Sequence, residues 1–429
     1  MPVIGMFGGG TVGGGVVELL AKKKGLLGDV TMKKICVRSI RARDYELPEG
    51  CSFVTAYADI LEDPEIDTVI EVMGGVTDAK DIVFAAIAAD KHVITANKAL
   101  LAAFMPELEA LLAAHPTVRF MFEAAVCGAI PVISTLQQCF RPDNVTQISG
   151  IMNGTTNYML TKMEKEGVAY DAVLQEAQEL GYAEADPTAD VGGFDVQSKL
   201  AVLVRLAFGL TVAPADIPTV GIQAVTSDDF EYASKALFKS TIKLLGVARR
   251  VSGPDGAEQL CAFVSPVVVP DDHVIASVGG ATNVVDVASD NCFASSLVGP
   301  GAGRFPTANS VVSDLARLAD GLAPVSPFPP VASGITFNAD YEAQFYVRLN
   351  IKDAHGIIKI VGQLCEDAGI GIYSILQNTI KDRDNLNFVV TTDACKLSQI
   401  KAMASAFQEQ PFCLSSPVFM PFLGAPASA

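Results

Sequence analysis

Asp195 and Lys199 stand four residues apart at the entrance to an apolar run, FDVQSKLAVLVRLAF, just after a carboxylate-rich loop, GYAEADPTAD. On a helix, positions i and i+4 share a face, so this acid and this amine point the same way, while Leu200, Leu203, Val204 and Ala207 form the stripe to be buried. Glu184 and Asp186 lie in the loop ahead of them. An amine among carboxylates on a rigid element can hold a zwitterionic amino acid and move a proton. The same spacing also suits an ordinary exposed ion pair behind an acidic loop, so this segment alone leaves two readings open.

Such chemistry needs a scaffold to hold it. The chain opens with PVIGMF, a glycine cluster and TVGGGVVELLAKKKG, which read as strand, tight turn and helix. Further apolar runs (KKICVRS, DTVIEVMG, HVITAN, VRFMFEAAV) alternate with the helical patterns DAKDIVFAAIAAD and FMPELEALLAAH. That alternation predicts an α/β fold with a doubly wound, Rossmann-type sheet over residues 1–135. From residue 136 to 303 the pattern changes to an inserted α+β domain, with NVTQISGIMN and LCAFVSPVVV as strands and TTNYMLTKMEKEG as a helix. PTANSVVSDLARLADG reads as a helix within 304–322 that rejoins the first domain, Pro306 lying in its first turn and Gly321 past its end. Residues 323–342 contain four closely spaced prolines and read as an extended connector, after which 343–429 form a small βαββα unit.

The first turn carries GxGxxG as Gly8, Gly10 and Gly13, with Thr11 and Val12 opening the helix. Between a strand and a helix, such glycines let backbone approach a pyrophosphate, whose charge is stabilised by the free N–H groups of the helix start. At the tip of the second strand a carboxylate would favour NAD(H) and an arginine would accommodate the 2′-phosphate of NADP(H). Arg38, Arg41 and Arg43 occupy that region, whereas Asp29 precedes the strand and Asp44 follows the arginines. NADP(H) is therefore the preferred cofactor, NAD(H) is admitted as well, and a solvated basic loop is the alternative reading of the arginines.

The 429 residues predict two or three domains. A net charge of −17 opposes broad contact with nucleic acid or anionic membrane, and no run of about 18 apolar residues or signal-like start is present. Nine scattered cysteines, none spaced as CxxC, and four dispersed histidines disfavour a disulfide framework or a zinc site, so a reducing cytoplasm is expected.

Six strings, in order along the chain, make the reading specific: GGGTVGGGVV, VITANKALLA, FEAAVCGAIPVI, IMNGTTNYML, GYAEADPTADVGGFDVQSKL and GPGAGRFPTANSVVSDL. Over residues 1–320 the chain resembles homoserine dehydrogenase, and its C-terminus looks like an ACT domain, a βαββαβ module. The resemblance implies NAD(P)-dependent interconversion of L-homoserine and L-aspartate 4-semialdehyde, a step towards threonine and methionine. It implies Lys199 as proton donor or acceptor, Asp195 in the surrounding polar network, and Glu184 and the Gly181 backbone holding the substrate. Lys98, just beyond a strand, would face cofactor and substrate, and two converging ammonium groups would lower each other's proton affinity. Gly301 would lie against the cofactor, and the NGTTN string, Asn153 to Asn157, would supply positioning groups or cap the next helix.

A monovalent cation, most naturally sodium, is implied at the Glu123 side chain and the carbonyls of Val126, Gly128 and Ile130; oxygen donors suit such an ion. Without the resemblance, Glu123 reads as a buried carboxylate bonded to backbone amides. The resemblance also implies a homodimer paired through the second domain. Threonine is the expected effector, with a purely structural pairing domain as the alternative reading, because the ACT turn lacks its proline and stands here as Asp353, Ala354, His355, Gly356. Two rivals carry different chemistry: an aspartate-semialdehyde-type dehydrogenase with Cys127 as nucleophile, and a nonenzymatic amino-acid sensor.

Overall fold

The computed structural model describes residues 2–23, 30–235, 239–253, 256–380 and 382–424; Asp29 and the last five residues lie outside that set. The described chain forms two compact units, the first made of residues 1–148, 197–216 and 282–335, the second of 149–196, 217–281 and 336–429.

The first unit begins with β1 (Val3–Phe7), α1 (Thr11–Lys22), β2 (Thr31–Cys36), β3 (Ser52–Val54), α2 (Ala58–Leu61), β4 (Thr68–Glu71), α3 (Thr77–Ala88), β5 (His92–Thr95), α4 (Lys98–Ala114), β6 (Phe120–Met121) and α5 (Val132–Gln138). The strands pair in parallel in the order β3-β2-β1-β4-β5-β6. Fully buried strands without alternation, such as Thr68–Glu71, are what a sheet covered on both faces requires. Strand reversal beside β1 places the loops after β1 and β4 together at one sheet edge, where doubly wound folds bind ligands.

The expected strand VRFMFEAAV is a strand only at Phe120–Met121, because Glu123–Ala125 turns into a single 3₁₀ turn. The helix expected from Phe104 begins at Lys98 instead, with Asn97 as its cap, and kinks where Phe104 leaves helical geometry (φ −127°, ψ 24°) two residues before Pro106.

Strand β7 (Val145–Ile151) carries the chain into the second unit, where α6 (Gly154–Glu166), α7 (Tyr170–Glu179) and α8 (Thr188–Val191) follow. Helix α9 (Phe194–Phe208) contains the boundary between the units, with Asp195 on one side of it and Lys199 on the other. In the second unit, α10 (Ser227–Ala233) precedes the long hairpin of β8 (Ser240–Ser252) and β9 (Glu258–Pro270), paired antiparallel throughout, and α11 (Val274–Ser277).

The chain returns to the first unit through β10 (Thr282–Ser289), β11 (Phe293–Pro300) and α12 (Arg304–Ala319). Helix α12 seats on α1: a Cβ at Gly15 would lie 2.7 Å from the Arg304 carbonyl, so only glycine permits this approach. Ala308, Val311 and Leu315 join Ile4, Met6 and Val16 in the core there. The proline-rich segment after it is fastened to the same unit. Phe328 stacks on Phe122 at 5.4 Å, and the Arg205 guanidinium, bidentate on Glu109, donates to the Pro329 carbonyl at 2.8 Å.

The rest belongs to the second unit: β12 (Thr336–Asn338) beside β9, then β13 (Glu342–Ala343), β14 (Phe345–Ile351), α13 (Ile357–Asp367), β15 (Ile372–Gln377), β16 (Leu386–Thr392), β17 (Cys395–Lys396), α14 (Leu397–Gln408) and β18 (Val418–Pro421). The last strand completes a βαββαβ pattern whose sheet runs β15-β16-β14-β18. Its inner face is tied to α10, since Asp229, fully buried, accepts from both Tyr346 Oη and Arg348 Nε at 2.8 Å. No helix among the described residues is long and apolar enough to cross a membrane.

Candidate active site

The glycines of the first turn do three different things. Gly8 has φ 108° and a Cβ there would lie 2.6 Å from the Val72 carbonyl. At Gly13 a Cβ would lie 2.1 Å from the Gly8 carbonyl, so its absence lets α1 press against the turn after β1. A Cβ on Gly10 would meet nothing within 4 Å. Open space at that one glycine leaves the start of α1, beginning at Thr11 and Val12, approachable by an anion.

That space belongs to a cleft of about 1060 Å³ lined by Gly8, Gly10, Arg38, Arg41, Arg43 and Gly75, among others. A cleft of this size accommodates a dinucleotide-sized ligand. The arginines line its β2 side, while Asp44, the carboxylate nearest in sequence, is bound to Arg304. The Arg304 guanidinium holds the Asp44 carboxyl below its usual range. Of the arginines, Arg43 also lies over the Phe53 ring at 5.7 Å.

Lys98 is the first residue of α4, directly after β5. Asn97 sets its place: the Asn97 oxygen accepts from Leu100 N at 3.0 Å and its nitrogen donates to the Gly75 carbonyl at 2.7 Å, joining the α4 start to the cleft wall. Lys199 lies within α9 and is only 7% exposed. Lysines are seldom buried to that degree unless paired, and both amines belong to the first unit.

The turn at Glu123 follows the bland expectation for its side chain. Its two oxygens accept from Ile133 N (2.9 Å) and Ser134 N (2.8 Å) at the start of α5, and burial raises its proton affinity. The Gly128 carbonyl accepts from Ser310 Oγ at 2.7 Å and the Ile130 carbonyl from Val132 N at 2.8 Å, while Val126 is extended. Each such oxygen keeps a further lone pair. Gly128 packs on Gly301, where a Cβ would collide with the Asn283 carboxamide. Cys127, the rival nucleophile, is 1% exposed. Among the described residues, no group of three or more His, Cys, Asp or Glu side chains could hold a metal.

In the second unit the polar loop before α9 is tethered from α6 and α7. Thr155 Oγ1 donates to the Tyr182 carbonyl at 2.6 Å, and Gln178 Nε2 to the Glu184 carbonyl at 3.1 Å. Gly181 turns the chain at φ 76°, and Glu184 is exposed. Asp186 accepts from Thr188 N, which lowers its proton affinity. Asn153 caps α6 and donates to both Asp190 (2.7 Å) and Asp195 (2.9 Å). The Asp190 contact escapes sequence reasoning, since nothing local links positions 153 and 190; the only hint is a helix cap that also carries a donor.

Comparison with known proteins gives a consistent result. Residues 8–123 match the family model described as "Homoserine dehydrogenase, NAD binding domain", and residues 131–316 the model "Homoserine dehydrogenase". A homoserine dehydrogenase of Bacillus subtilis is 37% identical over 398 residues, covering 90% of each chain. One from Synechocystis is 38% identical, covering 91% of this chain and 92% of its own. Among solved structures, a homoserine dehydrogenase from Thiobacillus denitrificans superposes with a TM-score of 0.87 at 32% identity, over 98% of both chains.

Proposed function

Because the chain belongs to the homoserine dehydrogenase family, an NAD(P)-dependent oxidoreductase of a CH–OH group, we propose that Lys199 moves the alcohol proton as L-homoserine and L-aspartate 4-semialdehyde interconvert. The observation that carries this assignment is the buried Lys199 amine one helical turn beyond Asp195, a carboxylate already held by Asn153. The bound nicotinamide supplies or takes the hydride. During reduction the carbonyl oxygen gains negative charge, and a buried ammonium protonates it as that charge develops; in oxidation the amine form takes the proton back. Glu184 takes the substrate ammonium, and the Gly181 backbone fixes the far end of the substrate. Lys98, fixed by the Asn97 cap at the cleft wall, supplies a second positive charge for cofactor and substrate.

NADP(H) is the favoured cofactor, with NAD(H) accepted more weakly. Arg38 and its two neighbours line the cleft, and Asp44 is bound to Arg304. Gly301 follows β11 as a backbone contact for the cofactor. A monovalent cation, sodium by preference, is held by Glu123 and the carbonyls of Val126, Gly128 and Ile130. The donor set is oxygen only, Glu123 is a buried carboxylate, and Asn283 Oδ1, beside Gly301, is buried with no hydrogen bond among the described residues. The cation's role is structural. The C-terminal βαββαβ unit serves as an ACT-type effector module for threonine, and the protein works in the cytoplasm as a homodimer paired through residues of the 136–303 region.

Oxidation of NADPH and of NADH in the presence of L-aspartate 4-semialdehyde, across threonine concentrations, tests this reading. Turnover with NADPH at least about tenfold more efficient than with NADH is expected, from the arginine contacts to the extra phosphate. Equal use of both, or no turnover, contradicts it.

A further inference from the structure

We propose that Asn153 is a positioning residue of the reaction: its carboxamide holds the Asp190 and Asp195 carboxylates on one nitrogen and so orients Asp195 one turn ahead of Lys199. Asn153 follows β7 in extended conformation and is 5% exposed. Its oxygen accepts from Thr156 N at 2.9 Å and Thr156 Oγ1 at 3.1 Å, which leaves the two N–H groups of Nδ2 for Asp190 Oδ1 (2.7 Å) and Asp195 Oδ2 (2.9 Å). The network fixes which way the amide faces, because the flipped form would set its oxygen against two carboxylates and its nitrogen against an N–H donor.

Capping does not explain the choice of asparagine. Serine or aspartate caps a helix as well, since the cap needs only an acceptor. The opposite side of this residue needs two donors, aimed at carboxylates that come from the α8 and α9 ends of the polar loop. Asparagine is the small side chain that meets both demands. Two carboxylates so close repel each other, and a shared donor offsets the repulsion and favours their ionised forms. Without it, Asp190 and Asp195 lose the donor they share, and the acid at the head of α9 loses one of the contacts that orient it.

This inference rests on the proposed role of Asp195, and its test separates the two. Asn153→Ser and Asn153→Asp both keep the α6 cap but remove the donor pair, and Asp195→Asn is run beside them. Homoserine oxidation is followed from pH 5 to 10, with thermal unfolding measured on each variant. Asn153→Ser is expected to unfold within a few degrees of wild type, to lose about 10- to 100-fold in kcat with KM little changed, and to show the acid limb of its profile, which in oxidation belongs to the Lys199 amine, displaced by about one pH unit as Asp195 is reoriented. Asn153→Asp moves that limb upward, because a third carboxylate in the cluster favours the Lys199 ammonium. An unchanged limb in Asn153→Ser, with any loss of rate tracking a loss of unfolding temperature, reduces Asn153 to a helix cap and overturns the proposal even if Asn153→Asp fails to fold. A wild-type profile in Asp195→Asn instead removes the role of Asp195, and the proposal falls with it.

Discussion

Replacing Gly10 and Gly13 separately by alanine should split nucleotide binding from folding. At Gly10 the backbone has φ −87° and ψ −148°, just past the β region that an L-residue favours, and a methyl group meets no atom within 4 Å. Gly10→Ala should therefore cost about 1 kcal/mol of stability, from this modest backbone strain and not from a clash. A methyl reaches about 1.5 Å beyond Cα, enough to displace a phosphate seated at about 2.9 Å from the backbone amides. Losing one or two such charge-assisted hydrogen bonds should weaken NADPH binding by about 10- to 100-fold. At Gly13 the methyl would sit 2.1 Å from the Gly8 carbonyl, a backbone atom that cannot swing aside. Helix α1 must then move by about 1 Å, at a cost of about 1–3 kcal/mol, so Gly13→Ala should lower the unfolding temperature as well as affinity. Fluorescence titration with NADPH and differential scanning calorimetry read the two effects. Wild-type affinity in Gly10→Ala would refute the seating of the pyrophosphate at the start of α1.

Lys243, in β8, is 2% exposed, and burial lowers its pKa from 10.5 against the opposing pull of Glu164. Lys243→Met should stabilise the protein at neutral pH by about 1 kcal/mol, as replacing a buried, only partly compensated charge by an apolar side chain of similar size does. The gain should shrink as pH rises towards 10.5, because folded wild type releases that proton before the unfolded chain does; urea melts at pH 7 and 10 measure it. Glu109→Ala leaves the 2%-exposed Arg205 side chain without its carboxylate and should cost about 3 kcal/mol, whereas Arg205→Met should cost less; chemical melts distinguish them. Arg38→Ala should raise KM for NADPH about tenfold and leave KM for NADH within about twofold, read from initial rates.

Much of the nucleotide unit is legible in the sequence because its constraints are local. The spacing of Gly8, Gly10 and Gly13 reflects backbone geometry within one turn, and Pro306 and Gly321 mark the ends of α12. The kink near Pro106 and the early start of α4 were readable only in part, since an apolar, alanine-rich stretch such as KALLAAF carries little helical periodicity while the Asn97 cap lies ahead of it. Contacts between distant segments leave no such trace. Asn153 and Asp190 are 37 positions apart, and Asp229 meets Tyr346 and Arg348 more than a hundred positions on. Nor does composition reveal that the proline segment carries Phe328 onto Phe122, because prolines specify an extended backbone without naming the surface it lies on.

Single-turnover reduction of L-aspartate 4-semialdehyde by NADPH-loaded Lys199→Met enzyme is the most direct test of the central claim. With NADPH affinity and unfolding temperature unchanged, the rate should fall by about 10²- to 10⁴-fold, the contribution of a positioned proton donor. A rate within tenfold of wild type would show that the proton travels by another group.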